Sequence, residues 1–371
     1  MGPLAEVTAP PYDAVGPVLQ RRLHEASPFN VVRLILGRTD AADDHVENKY
    51  TRAASLLRRW ESEGALVPTP GPAWYPYRMR FQFQGVERTV RGLICQVELE
   101  PLGGSIIPHE ETLPAPFEDR LALLRETRTN LSPVYALYKG PRREVAGLLD
   151  EVQRDPPARA VTDEEGVSHE LWLLHNGRDI PGWLGDEQLL IADGHHRYRV
   201  ALAFRDEMRA RHGPGPWDHM MMHLVDSELE DPPVLPIHRV LVEGTPPTKG
   251  TAVRDLAEIL ATLRDEDLTY GIAQPEAHQD VVHRVASLKG DPPTVCALHE
   301  QVLGDAPVRF VPDAAVAEEY VRTGEAPVAF FLPPTRVERI RSVIERGERL
   351  PQKSTYFWPK PRTGMVFRPL R

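Results

Sequence analysis

Leu189-Leu190-Ile191-Ala192-Asp193-Gly194-His195-His196-Arg197-Tyr198-Arg199-Val200-Ala201 is a short apolar run broken by Asp-Gly and followed at once by two histidines and an arginine. Beyond them Val200, Phe204 and Met208 recur at four-residue steps with Ala201 beside them, so the next segment has one apolar face at helical spacing. The order is strand, glycine turn, helix. The first N–H groups of such a helix have no intrahelical acceptor and lie at the positive end of the helix dipole, which makes a site for an anion. His195, His196 and Arg197 add donors at the same place, and phosphate is the guest the pattern predicts. The competing reading is a plain turn at Asp193-Gly194 with Arg197 and Arg199 on a solvated helix face. Five such residues in succession at a strand-to-helix junction favour the anion site.

Upstream, residues 47–63 read as a helix whose apolar face is Tyr50, Ala53, Ala54, Leu57 and Trp60, with Gly64 to stop it. Tyr75, Tyr77, Met79, Phe81 and Phe83 then alternate with polar residues, and Leu93, Cys95, Val97 and Leu99 repeat the alternation. The two runs predict a β-hairpin. Pro116 through Arg128 reads as a helix with Leu121 and Leu124 inward, Arg120, Arg125 and Arg128 outward, and Asn130 as its stop. Residues 140–166 read as an excursion with a short helix near 145–152. From 246 to 349 helical patterns (252–264, 278–288, 314–323, 335–347) alternate with strand-like runs (295–298, 308–311, 328–332), which is α/β character. Residues 355–370 read as strand and turn.

The segment Ile191–Tyr198 resembles the Asp-Gly-His-His-Arg box of the free L-serine kinases, which are built on the ParB/sulfiredoxin-like fold, and the ParB nucleotide-binding box has a similar layout. Ile107-Pro108-His109-Glu110-Glu111-Thr112 resembles the Pro-His-Glu box of the same kinases, and the two boxes occur in the same order. The whole chain is similar to a long, largely uncharacterised bacterial and archaeal family with both boxes. Ala9-Pro10-Pro11-Tyr12-Asp13, Asn30–Leu34, Leu235–Arg239, Leu350–Phe357 and Pro359-Lys360 support that likeness from end to end. The kinase likeness itself covers about residues 105–225.

The resemblance implies a mixed-sheet α/β fold with a ParB/sulfiredoxin-like nucleotide-binding core over 105–245. An N-terminal α/β segment (1–104) carrying the hairpin and a C-terminal α/β segment (246–371) would flank it. It implies transfer of a phosphoryl group from ATP or ADP, with Mg²⁺, to the hydroxyl of free L-serine or a related hydroxy amino acid. Such chemistry needs donors for the phosphates, a group to position or deprotonate the hydroxyl, and charge balance in the transition state. Asp193, Gly194, His195, His196 and Arg197 are the expected nucleotide and phosphate binders, and Asp193 could also orient the histidines or hold metal or substrate. Glu110 is the expected catalytic base, with Glu111 one residue away as the alternative. His109, Thr112, His238 and Arg239 are expected on the substrate. The competing reading makes His238-Arg239 a surface ion pair, while Lys353-Ser354-Thr355 and Lys360 form a small basic, hydroxyl-bearing cluster that either touches ligand or caps the C-terminal strand, with the structural role favoured.

A formal charge of −10 argues against a nucleic-acid partner, which wants a basic face. No run approaches the ~20 apolar residues of a bilayer span, and no signal-like segment opens the chain. Cys95 and Cys296, both in strand-like surroundings, predict free thiols in a cytoplasmic protein. There is no Gly-x-x-x-x-Gly-Lys-Ser/Thr loop, no Gly-x-Gly-x-x-Gly fingerprint, no protein-kinase signature and no paired metal motif. Two rivals stay open: a nucleotide-binding switch using CTP or ATP without catalysis, and a metal-dependent hydrolase using His109, His195 and His196.

Overall fold

The computed structural model describes residues 3–110, 115–140, 143–175, 179–185, 187–244, 249–275 and 280–371. It is a mixed α/β protein that divides into two compact units. The first holds Met1–Pro108, Leu113–Pro232 and Pro359–Arg371, and the second holds His109–Thr112 and Pro233–Trp358. These units cut across the three segments expected from sequence: most of 1–104 shares a unit with most of 105–245, and the chain returns to that unit at Pro359.

The first unit is built on an eight-stranded sheet. Its strands in chain order are β1 (Tyr75–Phe83), β2 (Val86–Glu98), β3 (Ile106–Ile107), β4 (Val134–Tyr138), β5 (Arg159–Thr162), β6 (Ser168–Leu171), β7 (Leu189–Asp193) and β8 (His219–Asp226). They lie in the order β3-β7-β4-β8-β2-β1-β6-β5. The β3–β7 and β4–β8 pairs are parallel and the others antiparallel, so the sheet is mixed. β1 and β2 form the expected hairpin, closed at Gln84-Gly85, both of positive φ, as a tight two-residue turn requires. Residues 140–166 are not an excursion: after the helix Arg143–Val152, β5 pairs with β6 and extends the sheet edge. The short β5 run is mostly exposed, so it carries little of the apolar alternation that marks a strand.

Helix α1 (Lys49–Ser62) lies within the predicted 47–63 and begins two residues later, where Asn48 caps it with a reciprocal capping box to Thr51. Ala53, Ala54, Leu57 and Trp60 are buried, and Gly64 has φ +71 just beyond the end. Helix α2 (Ala115–Thr127) stops before Arg128, which has φ +45, while Asn130 pairs with Arg368 in a short two-stranded ribbon. Arg120 does not face outward. It is buried, lies 4.3 Å from the Tyr12 ring and donates to Ile35 O at 2.6 Å, with its remaining donors on Asp119. Helix α3 (His195–His212) packs Tyr198 and Ala201 onto a sheet face made by Cys95, Val134, Ala136, Ile191 and Met222, all buried. Its Val200, Phe204 and Met208 cluster with Leu121 and Leu124 of α2. Among the described residues, no helix is long and apolar enough to cross a membrane.

On the other sheet face, fully buried His223 of β8 lies between Tyr77 and Tyr135, with ring centroids 5.2 and 5.1 Å away. Neither ring nitrogen has a hydrogen-bond partner among the described residues. Burial, with a minor contribution from His169, pushes its pKa down from 6.5 to about 3. The native state therefore holds the neutral ring. Below the unfolded pKa the unfolded chain binds the extra proton, so stability falls as the pH drops from 6.5 towards 3. The expected slope from this group is about 1.4 kcal/mol per pH unit. Thermal melts from pH 7 to 4 check this, since a folded His223→Phe variant should show a flatter profile. An unchanged profile would contradict it.

The second unit is a six-stranded antiparallel sheet with strands β9 (His238–Leu241), β10 (Thr251–Val253), β11 (Thr269–Pro275), β12 (Val281–Ser287), β13 (Val308–Val311) and β14 (Val328–Phe331), in the order β10-β12-β11-β14-β9-β13. Two expectations reverse here. The 278–288 run, of which 280–288 is described, holds strand β12 rather than a helix. Its β-branched Val281, Val282 and Val285 suit the ladder to β11. The 295–298 run is helical (Thr294–Leu298), because extended Pro293 stands at the N-cap and Thr294 N donates to Asp265 at 2.8 Å. Cys296 is thus on a helix and half-buried, whereas Cys95 is in a strand and buried. Residues 252–264 split into β10 and a helix, Leu256–Thr262, capped by Asp255. The helices Ala314–Arg322 and Val337–Glu345 lie where the periodicity put them.

Candidate functional site

The strand–glycine–helix junction forms as the sequence predicts. β7 ends at Asp193, Gly194 turns with φ +99 and ψ 27, and α3 begins at His195. The left-handed backbone at Gly194 favours glycine, and a Cβ there would also press on the Arg197 guanidinium carbon at 3.0 Å. Arg197 donates to Pro133 O and to Asp193 Oδ2. His195 is buried and His196 half-buried in the first turn of α3.

Asp193 has a second cation. Its Oδ1 lies 2.6 Å from Lys360 Nζ, and the same ammonium lies 2.7 Å from Asp13 Oδ2. The Lys360 side chain is only 9% exposed. Burial alone would lower its pKa, but Asp193 and Asp13 outweigh this and hold it above the usual lysine value. Four charges, Asp13, Lys360, Asp193 and Arg197, thus gather in one partly exposed cluster that ties the segments around Asp13 and Lys360 to the junction. Desolvation raises the pKa of neighbouring Tyr12. A cavity of about 60 Å³ lies beside Arg197, lined by Tyr12, Arg120, Asn130, Ser132 and Met220 among others.

Sequence reasoning missed the Asp13–Lys360 connection. Both residues sat in segments that support the family likeness, but an ion pair across 347 positions leaves no local signal. Lys360 is therefore structural as expected, yet it belongs to this junction and not to a cluster with Lys353-Ser354-Thr355.

In the second unit, His109-Glu110 runs beside Leu350, with Leu350 N donating to His109 O at 2.9 Å. Glu110 Oε1 accepts from Ser354 N (3.0 Å), Thr355 N (2.8 Å) and the Thr355 hydroxyl (2.7 Å), and Oε2 accepts from Lys353 N (3.1 Å). Fully buried His109 places Nε2 at 2.6 Å from Thr355 Oγ1 and its ring edge-on to Phe357. A hydroxyl that donates to the carboxylate must accept from His109, which assigns the ring proton to Nε2.

His238 and Arg239 open β9 and are both buried, Arg239 completely, so the surface-ion-pair reading fails. His238 Nδ1 accepts from Leu332 N at 3.2 Å, and burial pushes its pKa to about 4. Arg239 donates to His299 Nε2 (3.0 Å), Ile237 O (2.6 Å) and Gln352 O (3.3 Å), over the Phe310 ring. Burial lowers its pKa to about 10, against an opposing pull from Glu110. Thr112 and Glu111 lie outside the described residues. No group of three or more His, Cys, Asp or Glu that could hold a metal is assembled among the described residues.

The profile of the family described as "Protein of unknown function (DUF1015)" matches residues 1–300. No curated protein matches the sequence. Among solved structures the chain is similar to a free serine kinase in complex with AMP, at 13% identity and TM-score 0.38, over 71% of this chain and 86% of that one. It is also similar to a conserved hypothetical protein from Pyrococcus furiosus (12%, TM-score 0.37, 71% and 89%). A third similar structure is SbnI with a C-terminal truncation from Staphylococcus aureus (10%, TM-score 0.38, 72% and 84%). At these identities and TM-scores the likenesses carry no residue role over to this chain.

Proposed function

The chain belongs to the DUF1015 family, a family of proteins of unknown function, so its activity has to come from its own residues, and we propose that it is a small-molecule kinase. In this reading ATP or ADP binds at the ParB-like box and gives a phosphoryl group to the hydroxyl of free L-serine or a related hydroxy amino acid. The observation that carries it is the junction itself: a left-handed glycine opening an 18-residue helix, with Asp193 clamped between Arg197 and Lys360. A helix N-terminus fixed this rigidly suits phosphate oxygens, and binding groups already in place cost little to order. Asp193, Gly194, His195, His196 and Arg197 are assigned to the nucleotide.

Glu110 is assigned the acceptor's proton, and His109, Thr112, His238 and Arg239 the acceptor's side of the site. The Thr355 hydroxyl already donates to Glu110, as a substrate alcohol would have to. Mg²⁺ would enter on the nucleotide phosphates, with at most one or two carboxylates from the protein, the usual way this ion is held. When bound it would neutralise charge on the transferred group. The free thiols fit a cytoplasmic, reducing setting.

Arg197→Ala tests the nucleotide half. In this reading Arg197 gives the nucleotide phosphates one charge-assisted bond, so its loss should weaken ADP binding by about 1.5–3 kcal/mol. Isothermal titration of the folded variant reads this directly. Undiminished ADP affinity would remove the junction from the nucleotide site.

A further inference from the structure

Three successive backbone N–H groups, those of Lys353, Ser354 and Thr355, converge on one carboxylate. Lys353 has φ +54, the left-handed twist that turns consecutive N–H groups to one side and makes a concave anion nest. The Thr355 hydroxyl adds a fourth donor. Behind the nest stands Arg239, fully buried, with no carboxylate of the described residues within ion-pair distance and with Glu110 as the leading charge that favours its protonated form. The side-chain oxygen of Gln352, one residue before the nest, is buried without a hydrogen-bond partner among the described residues.

We propose that the Lys353–Thr355 turn is a binding site for a small oxyanion, and that Glu110 plugs it until a ligand's anionic group takes its place. The charge inventory sets the ligand class. If Glu110 swings away, Arg239 becomes a buried cation without a counter-charge among the described residues, which is strongly unfavourable. Whatever displaces Glu110 must therefore bring negative charge and accept the same N–H bonds. A carboxylate or a phosphate group does both, whereas a neutral alcohol or an amine brings no negative charge. Resting on the kinase reading, the exchange also frees Glu110: its lone pairs, now held by Lys353, Ser354 and Thr355, become available to a substrate hydroxyl only once the anion has bound. Occupancy of the nest would then switch on the base.

The test uses the full chain with inorganic phosphate and acetate as separate probes. Glu110→Ala should bind at least one of them tenfold or more tightly than wild type, because the plug is gone. Thr355→Val added to Glu110→Ala should lose most of that gain. A gain for phosphate alone assigns the nest to a phosphoryl group. A gain for acetate alone assigns it to an acceptor carboxylate, and a gain for both makes it an unselective oxyanion site. A folded Glu110→Ala protein with no gain for either probe overturns the proposal. Should that variant not fold, the wild-type amide ¹⁵N resonances of Lys353, Ser354 and Thr355 are followed at saturating probe; shifts in all three support the site and their absence overturns it. ADP binding is measured alongside. Its absence would sink the nucleotide reading and leave the nest standing, while normal ADP binding without an oxyanion effect would do the reverse.

Discussion

Glu110→Gln should lower phosphoryl transfer by roughly 10²–10⁴-fold while leaving nucleotide affinity near that of wild type. The amide cannot take the acceptor's proton, and the nucleotide contacts come from a different stretch, 193–197. The structure adds a second expected effect. An amide NH₂ in place of one carboxylate oxygen faces the N–H groups of Lys353 or of Ser354 and Thr355, donor against donor. One lost acceptor costs about 1–3 kcal/mol. Single-turnover rates and thermal melts together separate the roles. A large rate loss in a protein that remains folded at the assay temperature supports the base. Wild-type rates in Glu110→Gln with an inactive Glu111→Gln would move the role by one residue, and full activity in both would remove the acidic pair from the mechanism.

Lys360→Met should destabilise the first unit by about 1.5–3 kcal/mol and abolish measurable ADP binding. It removes the ammonium that bridges Asp193 Oδ1 and Asp13 Oδ2, so two charge-assisted bonds of a partly exposed cluster are lost. Because Lys360 has a raised pKa in the folded state, its contribution is fully present below the ordinary lysine value of 10.5 and is lost only as the pH rises through the higher folded value. The variant's stability deficit should therefore be constant from pH 6 to 9. Urea unfolding across that range checks it, and Lys360→Arg, which keeps the charge, should restore part of the contact with Asp13. A deficit under 1 kcal/mol would show that the cluster is not what fastens the junction.

The junction was legible because every level of the sequence agrees there: an apolar run of strand length, a glycine where the backbone must turn left-handed, and apolar residues at helical spacing beyond it. The hairpin and α1 were legible for the same reason, through Tyr77, Met79 and Phe81 on one face and through the Asn48 cap. The errors fall where local pattern and tertiary context part. Val281–Ser287 has few breakers and reads as helix or strand alike, and only its ladder to β11 decides. Arg120 reads as a surface residue on an amphipathic helix, but Tyr12 and Ile35 O come from distant chain to cover it. The cradle around Glu110 was illegible, since its donors are backbone N–H groups more than 240 positions away, which no side-chain pattern records.

The most direct test of the central claim is phosphorus NMR of the purified full chain with Mg²⁺, L-serine and either ATP or ADP. The kinase account predicts a new phosphomonoester resonance of O-phosphoserine, growing in step with loss of the donor's terminal phosphate and suppressed in Arg197→Ala. Nucleotide binding without transfer to serine or any other hydroxy amino acid would contradict it and leave a nucleotide-binding switch in its place.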